Sequence, residues 1–121
     1  MKNVTTMRKV LVALGVPEAQ TTDICCFSLL SLAGIGKVGA FGSATNKWMR
    51  IHDVIVFTND NYRTGKNVYA ENSRETFRKQ AMHHFRNAAF IEDNGKATNS
   101  PDYRYRVTDE ILAVLKSYGT E

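Results

Sequence analysis

Cysteine is scarce in this chain of 121 residues and badly placed for cross-linking: the two thiols, Cys25 and Cys26, are adjacent. Neighbouring residues cannot close an unstrained disulfide, and no CxxC metal knuckle exists, so a disulfide scaffold and a zinc ribbon are both excluded. Reduced thiols buried on a helix are expected instead. No run of about 18 apolar residues occurs, and no continuous apolar stretch follows Lys2 and Arg8. Neither a membrane span nor a secretory signal is therefore predicted, and a cytoplasmic location is expected. Internal repeats and low-complexity tracts are also lacking.

Catalytic patterns are missing as well. No Ser or Cys sits in a nucleophile elbow or beside a base-bearing motif, and the acidic residues are scattered over helix caps and turns. A PD-(D/E)xK nuclease site needs an acid-x-lysine pair after its first acid to hold Mg²⁺; Pro101-Asp102 is present, but no such pair follows. The stretch "GIGKVGAFGS" contains GxGxxG at Gly34, Gly36 and Gly39. A dinucleotide site requires a strand before those glycines and a helix opening after them. Here a helical pattern precedes them, so the stretch is predicted to be a flexible connector, with Trp48 anchoring it to the core. His83 and His84 suggest metal, yet consecutive helical residues point about 100° apart and no further ligand lies at i,i+3 or i,i+4 spacing. No catalytic residue, metal, cofactor or small-molecule substrate is assigned to this chain.

What is present is an ordinary globular composition with an uneven charge distribution. Hydrophobic residues make up 43% and charged residues 23%, so wholesale disorder is excluded. The length predicts one domain over residues 1–121, because domains of roughly 100–200 residues are the norm. The net charge of +4 is concentrated: between Arg63 and Arg86 lie Arg63, Lys66, Arg74, Arg78, Lys79 and Arg86 against Glu71 and Glu75. That segment alone carries the whole excess, which points to a polyanionic partner, nucleic acid above all.

Periodicity predicts mainly helix. Met7, Val10, Leu11 and Leu14 make an apolar stripe for a helix over 5–14, which Gly15 and Pro17 end. A second helix over about 21–33, with Thr22 or Asp23 as cap, is apolar nearly all round and should be central and buried. A third, about 49–62, places Ile51, Val54, Ile55 and Thr58 on one face. A fourth, about 73–89, should open on a capping box of Asn72 and Glu75 and bury Phe77, Ala81, His84, Phe85 and Ala88, with His83 outside. Then Phe90–Glu92 reads as a short strand, Asp93, Asn94, Gly95, Ser100 and Pro101 as turn formers, and Tyr103, Tyr105 and Val107 alternate with Arg104 and Arg106 at the period of a second strand. Thr108 should cap a last helix to about 118, with Asp109 and Glu110 in its first turn and Ile111, Leu112, Leu115 and Tyr118 as its apolar face.

This order, helices followed by a cationic helix, a hairpin over about 90–107 that carries Lys96, Arg104 and Arg106, and a closing helix, is that of a mainly α winged helix-turn-helix domain. The turn at about 63–71 is longer than the tight form. In that architecture the helix over 73–89 enters the major groove of double-stranded DNA. Asn72, Thr76, Lys79, Gln80, His83, Arg86 and Asn87 lie on the face away from Phe77 and Phe85. They are largely donors able to reach bases or phosphates, with Lys suited to guanine and Gln or Asn to adenine. Arg74 and Arg78 lie at the edge of the apolar stripe, within reach of a phosphate or of a carboxylate such as Glu75, and are assigned to positioning. Lys96, Arg104 and Arg106 of the hairpin should touch the backbone beside the groove.

The run "VYAENSRETFRKQAMHHFRNAAFI", with "NSPDYRYRVTDE", "LKSYGTE" and the early "LGVPEAQTTDICCFSLLSLAGI", closely resembles the N-terminal region of the BsuBI/PstI family of type II restriction endonucleases. That resemblance covers nearly the whole chain. It implies a winged-helix DNA-binding domain that precedes a Mg²⁺-dependent nuclease domain, the whole acting as a homodimer on palindromic DNA. Asn72, Arg74, Glu75, Arg78 and His83 match the family motif, while the nuclease part would begin where this sequence stops at Glu121. Two other readings use the same residues. A stand-alone transcriptional regulator would dimerise through its own surface and bind a spaced inverted repeat. A protein-interaction module of a restriction-modification system would dock on the nuclease or methyltransferase rather than on DNA, and would lack the salt dependence that phosphate contacts confer.

Overall fold

The computed structural model describes residues 1–118. Gly119, Thr120 and Glu121, which end the "LKSYGTE" stretch, lie outside the described residues. In order, the chain forms α1 (Lys2–Ala13), α2 (Asp23–Leu32), α3 (Ile51–Asn61), a fourth helix α4 over 74–87, strands β1 (Ile91–Asp93) and β2 (Tyr105–Val107), and α5 (Asp109–Ser117). Short 3₁₀ turns at Glu18–Gln20, Phe41–Ser43, Gly65–Asn67 and Glu71–Ser73 link them. The strands pair antiparallel with Ile91 opposite Val107 and Asp93 opposite Tyr105. β1 therefore begins one residue later than Phe90, and Tyr103 is buried just ahead of β2 rather than within it. A winged helix-turn-helix results, in which α3 and α4 are the helix pair and β1–β2 the wing.

The central element is α2, as its composition predicts: Cys25 through Leu32 are all buried. α1 packs on it with Val4, Met7, Val10 and Leu11. The helix begins at Lys2 rather than at residue 5, and Leu14 is excluded from the stripe, being 38% exposed. It sits at the C-cap, past the last full turn. α3 buries Ile51, Val54, Ile55 and Thr58, the four residues its period selects, and the Thr58 and Ser31 hydroxyls bond to each other at 3.0 Å where α2 and α3 meet.

The connector after α2 is packed, contrary to expectation, and each glycine of GxGxxG has a structural task. Gly34 takes φ +69° as the residue that ends α2, with Ile35 N–H returning to the Leu30 carbonyl at 2.8 Å in a Schellman closure. A Cβ on Gly36 would stand 2.5 Å from Asn61 Oδ1, and one on Gly39 would stand 3.0 Å from the Gly36 nitrogen. The buried amide of Asn3 donates to the Gly36 and Gly39 carbonyls at 2.8 and 2.9 Å, while Ile35, Phe41 and Ala44 enter the core. Trp48 does not anchor this segment. It is 40% exposed, and the Arg106 guanidinium lies 4.2 Å from its ring centroid. The residue that ties the connector to the sheet is Met49, whose backbone pairs with Tyr105 on the open edge of β2 through two 2.8 Å bonds.

The long turn over 63–71 is held from both sides. Asn59 accepts from the Tyr69 N–H at 2.8 Å and donates to its carbonyl at 2.9 Å. The Tyr69 ring meets Phe77 edge-on, with centroids 5.0 Å apart, and carries the Arg63 guanidinium over its own ring at 4.7 Å.

Candidate nucleic-acid interface

The fourth helix is continuous from 74 to 87 but not uniform. Arg74–Phe77 and His83–Asn87 are α-helical, and Arg78–Met82 between them is a π turn. A π turn inserts one extra residue and rotates everything after it relative to an ideal α wheel. The buried residues are accordingly Phe77, Ala81, Met82 and Phe85. Met82 takes the core position that a uniform 100° step assigns to His84, and His84 and Ala88 are exposed. His83 and His84 then meet edge to face, with ring centroids 5.8 Å apart. Among the described residues, no three His, Cys, Asp or Glu side chains are placed to hold a metal.

The two ends of α4 also differ from the pattern in the sequence. Asn72 lies in the 3₁₀ turn Glu71–Ser73 and forms no capping box; Ser73 is the N-cap and makes no side-chain cap bond, while Glu75 turns to Arg78. At the far end α4 stops at Asn87, and Ala89 takes φ +61° in the place where glycine is usual. Phe90 N–H returns to the Phe85 carbonyl at 2.8 Å and Ala89 N–H to Arg86 at 3.1 Å. The Phe85 and Phe90 rings stack across this closure at 5.9 Å. The same turn is fixed from α5, since the Thr108 hydroxyl donates to the Ala89 carbonyl at 3.0 Å while accepting from Ile111 N–H as the cap.

The outer surface of α4 is polar along its whole length. Asn72, Thr76, Lys79, Gln80, His83, Arg86 and Asn87 lie outside the core, as their wheel positions predict. Their surroundings differ. Arg86 is committed to the wing: its guanidinium reaches Asp93 Oδ2 at 3.1 Å and Tyr103 Oη at 3.2 Å, and Tyr103 Oη donates to Asp93 at 3.1 Å. Asp93 is held below the ordinary carboxylate range by the Gly95 amide first, then by Tyr103 and Arg86. This three-residue contact sets the wing against α4. His83 Nε2 accepts from Asn87 at 3.3 Å. Lys79 and Lys96 have no carboxylate within ion-pair distance among the described residues.

Arg74 and Arg78 each carry a carboxylate three residues back, Glu71 and Glu75 respectively. Such exposed pairs contribute about 0–1 kcal/mol and exchange readily. Glu71 also accepts from His52 Nδ1 at 2.8 Å, and hydrogen bonds from His52 and then Arg74 hold its carboxyl below its ordinary range. On the wing, Arg106 pairs with Glu92 at 2.8 Å beside Trp48, and Arg104 donates to the Pro101 carbonyl at 2.8 Å. Gly95 at φ +78° turns the chain after β1, leaving Lys96 exposed on the loop.

Two basic residues escape a reading based on α4 and the hairpin alone. Arg50 and His52 stand at the start of α3 and face Arg74 and Arg78 across a cleft of about 570 Å³ that the wing loop at 98–101 closes. The charge count over Arg63–Arg86 begins after them. Only the helix-pair geometry brings them to the same surface.

Comparison with known proteins bears on what this surface serves. Type II restriction enzyme BsuBI of Bacillus subtilis is 36% identical over 123 residues, spanning 98% of this chain and 38% of that enzyme. The structure of SdaI restriction endonuclease superposes with a TM-score of 0.85 at 25% identity over 96% of this chain and 37% of that one. The chain thus spans under two-fifths of the length of each relative. The profile of the BsuBI/PstI restriction endonuclease HTH domain matches residues 1–121, and the chain belongs to that family.

Proposed function

We propose that this chain is a sequence-specific double-stranded DNA-binding domain of a type II restriction endonuclease. In this reading residues 1–121 are one domain, and cleavage, with its Mg²⁺ ions, belongs to a nuclease domain outside them. In this reading the chain binds and the nuclease domain cuts. The assembly acts as a cytoplasmic homodimer, each copy reading one half of a palindrome.

The observation that carries the reading is the exposed polar face of α4 set beside a wing that carries Lys96, Arg104 and Arg106. Lys79, Gln80 and His83 project from the π turn and just after it, where donors suited to base edges are needed. Asn72, Thr76 and Asn87 extend that face. Arg74, Arg78, Lys96, Arg104 and Arg106 fit phosphates on either side, and Arg86 serves by fixing the angle between helix and wing. Family membership supports DNA as the partner in place of a docking protein.

A fluorescence-anisotropy titration of labelled duplex at several salt concentrations tests this. The logarithm of affinity should fall linearly with the logarithm of salt, by about 0.9 for each phosphate contact. An Arg78→Ala plus Lys79→Ala variant should bind more weakly. A flat salt response, or unchanged binding by that variant, refutes the reading.

A further inference from the structure

The cleft between α3, the first turns of α4 and the wing loop is lined mainly by basic and small polar side chains. Its walls carry Arg50, His52, Arg74 and Arg78, with Thr98, Asn99 and Ser100 across from them on the wing, and no acidic residue lines it. The carboxylates that pair with these bases, Asp53, Glu71 and Glu75, are not among the lining residues. Each base is therefore held by an acid that does not itself line the cleft, so the donors, and not the carboxylates, face its interior. Glu71 joins His52 to Arg74 through one oxygen, at 2.8 and 2.7 Å, so the start of α3 and the start of α4 are fastened in register. Asp53 grips Arg50 by both its backbone N–H, at 2.9 Å, and its guanidinium, at 3.2 Å.

Two further features point to a ligand with strong acceptor oxygens. Arg78 Nε is the one buried side-chain nitrogen or oxygen among the described residues with no hydrogen-bond partner. A buried donor left unpaired is unfavourable, so Arg78 gains by turning toward an acceptor. The cleft also receives the beginning of an eleven-residue helix, since Ile51 and His52 of α3 line it. First-turn amides of a helix have no intrahelical acceptor and carry positive partial charge. A bidentate guanidinium fork matches phosphate oxygens better than it matches water.

We propose that this cleft seats one backbone phosphodiester of the bound duplex, with Arg50 and His52 of α3 gripping it together with Arg74, Arg78 and the wing loop. This rests on the DNA-binding reading and adds to it a phosphate seat shared by three elements. The seat fixes how deeply α4 enters the groove, because α3, α4 and the wing must converge on the same phosphate. It carries no sequence information of its own.

The test uses the 121-residue chain and two duplexes, one selected from a random library and one scrambled. Arg50→Gln and His52→Gln combined should weaken both duplexes by about 10-fold, and should lower the slope of log affinity against log salt by about 0.9. Arg50→Lys, which keeps the charge, should keep most of the slope, and this excludes a folding defect as the cause. If the Arg50→Gln plus His52→Gln variant keeps the wild-type slope while Lys79→Ala weakens binding, the phosphate seat is refuted and the DNA-binding reading stands. If wild type shows no salt-dependent binding, both fall together. Inorganic phosphate alone is the remaining probe. Saturation of the Arg50 and His52 resonances by phosphate, with unchanged duplex affinity in the variants, would identify a free anion as the ligand and overturn the proposal.

Discussion

Cys25 Sγ donates to the Gln80 carbonyl oxygen at 3.1 Å, fastening the central helix to the π turn of α4. The bond joins core and surface: Cys25 is fully buried, while Gln80 lies on the exposed face. Because the π turn decides which side chains follow it outward, this thiol helps to set the register of the whole polar face. Cys25→Ala removes a buried sulfur and a donor, and should cost about 1–3 kcal/mol. Urea denaturation measures it, and a wild-type midpoint would show that the bond holds nothing.

Ala89 stands at φ +61°, where a Cβ is unfavourable by about 1–2 kcal/mol and glycine is at ease. Ala89→Gly should therefore stabilise the chain, by about 0.5–1 kcal/mol after the entropy that glycine gains in the unfolded state. A higher melting temperature is expected. Destabilisation would mean that the Ala89 methyl packs well enough to outweigh the backbone strain.

Burial raises the Cys26 thiol from 9.0 to about 11 and the Tyr62 hydroxyl from 10.0 to about 12. In the unfolded chain these groups release their protons first, so the unfolded state binds fewer protons above pH 9 and stability falls as pH rises. The Cys26 contribution is complete below pH 9 and is lost by the time pH passes 11, with a limit of about 1.4 kcal/mol per unit for each group. Urea midpoints between about pH 8 and pH 11 should decline, and less steeply for Cys26→Ala. Equal slopes would contradict the assignment.

The division of labour along α4 predicts unequal losses. Lys79→Ala and His83→Ala should reduce discrimination between a selected duplex and a scrambled one by about 1–3 kcal/mol for each hydrogen-bonded base edge that is no longer read. Arg74→Ala should weaken both duplexes alike, because it acts on phosphate. Competition titrations separate these outcomes, and equal losses on both duplexes for all three variants would refute the division.

Much of the architecture is legible in the sequence because single-element signals are strong. The period of α3 selects its four buried residues, the apolar content of α2 makes it central, and Thr108 caps α5 as its place before Asp109 and Glu110 suggests. What the sequence hides depends on tertiary context. A π turn has no composition signature, so a uniform wheel places His84 inside and leaves Met82 out. Asn72 has the chemistry of a cap, but the preceding 3₁₀ turn moves the helix start past it. Gly36 looks like part of a phosphate loop until Asn61 is seen beside it. Arg50 and His52 are about twenty residues or more from the motif that they join in space.

Perturbation of backbone amide resonances by a selected duplex, in the 121-residue chain labelled with ¹⁵N, tests the central claim most directly. The DNA-binding account predicts the largest shifts on α4 from Thr76 to Asn87 and on the wing from Lys96 to Arg106, with α1 and α5 unchanged. Shifts concentrated on α1 or α5, with α4 silent, would contradict it.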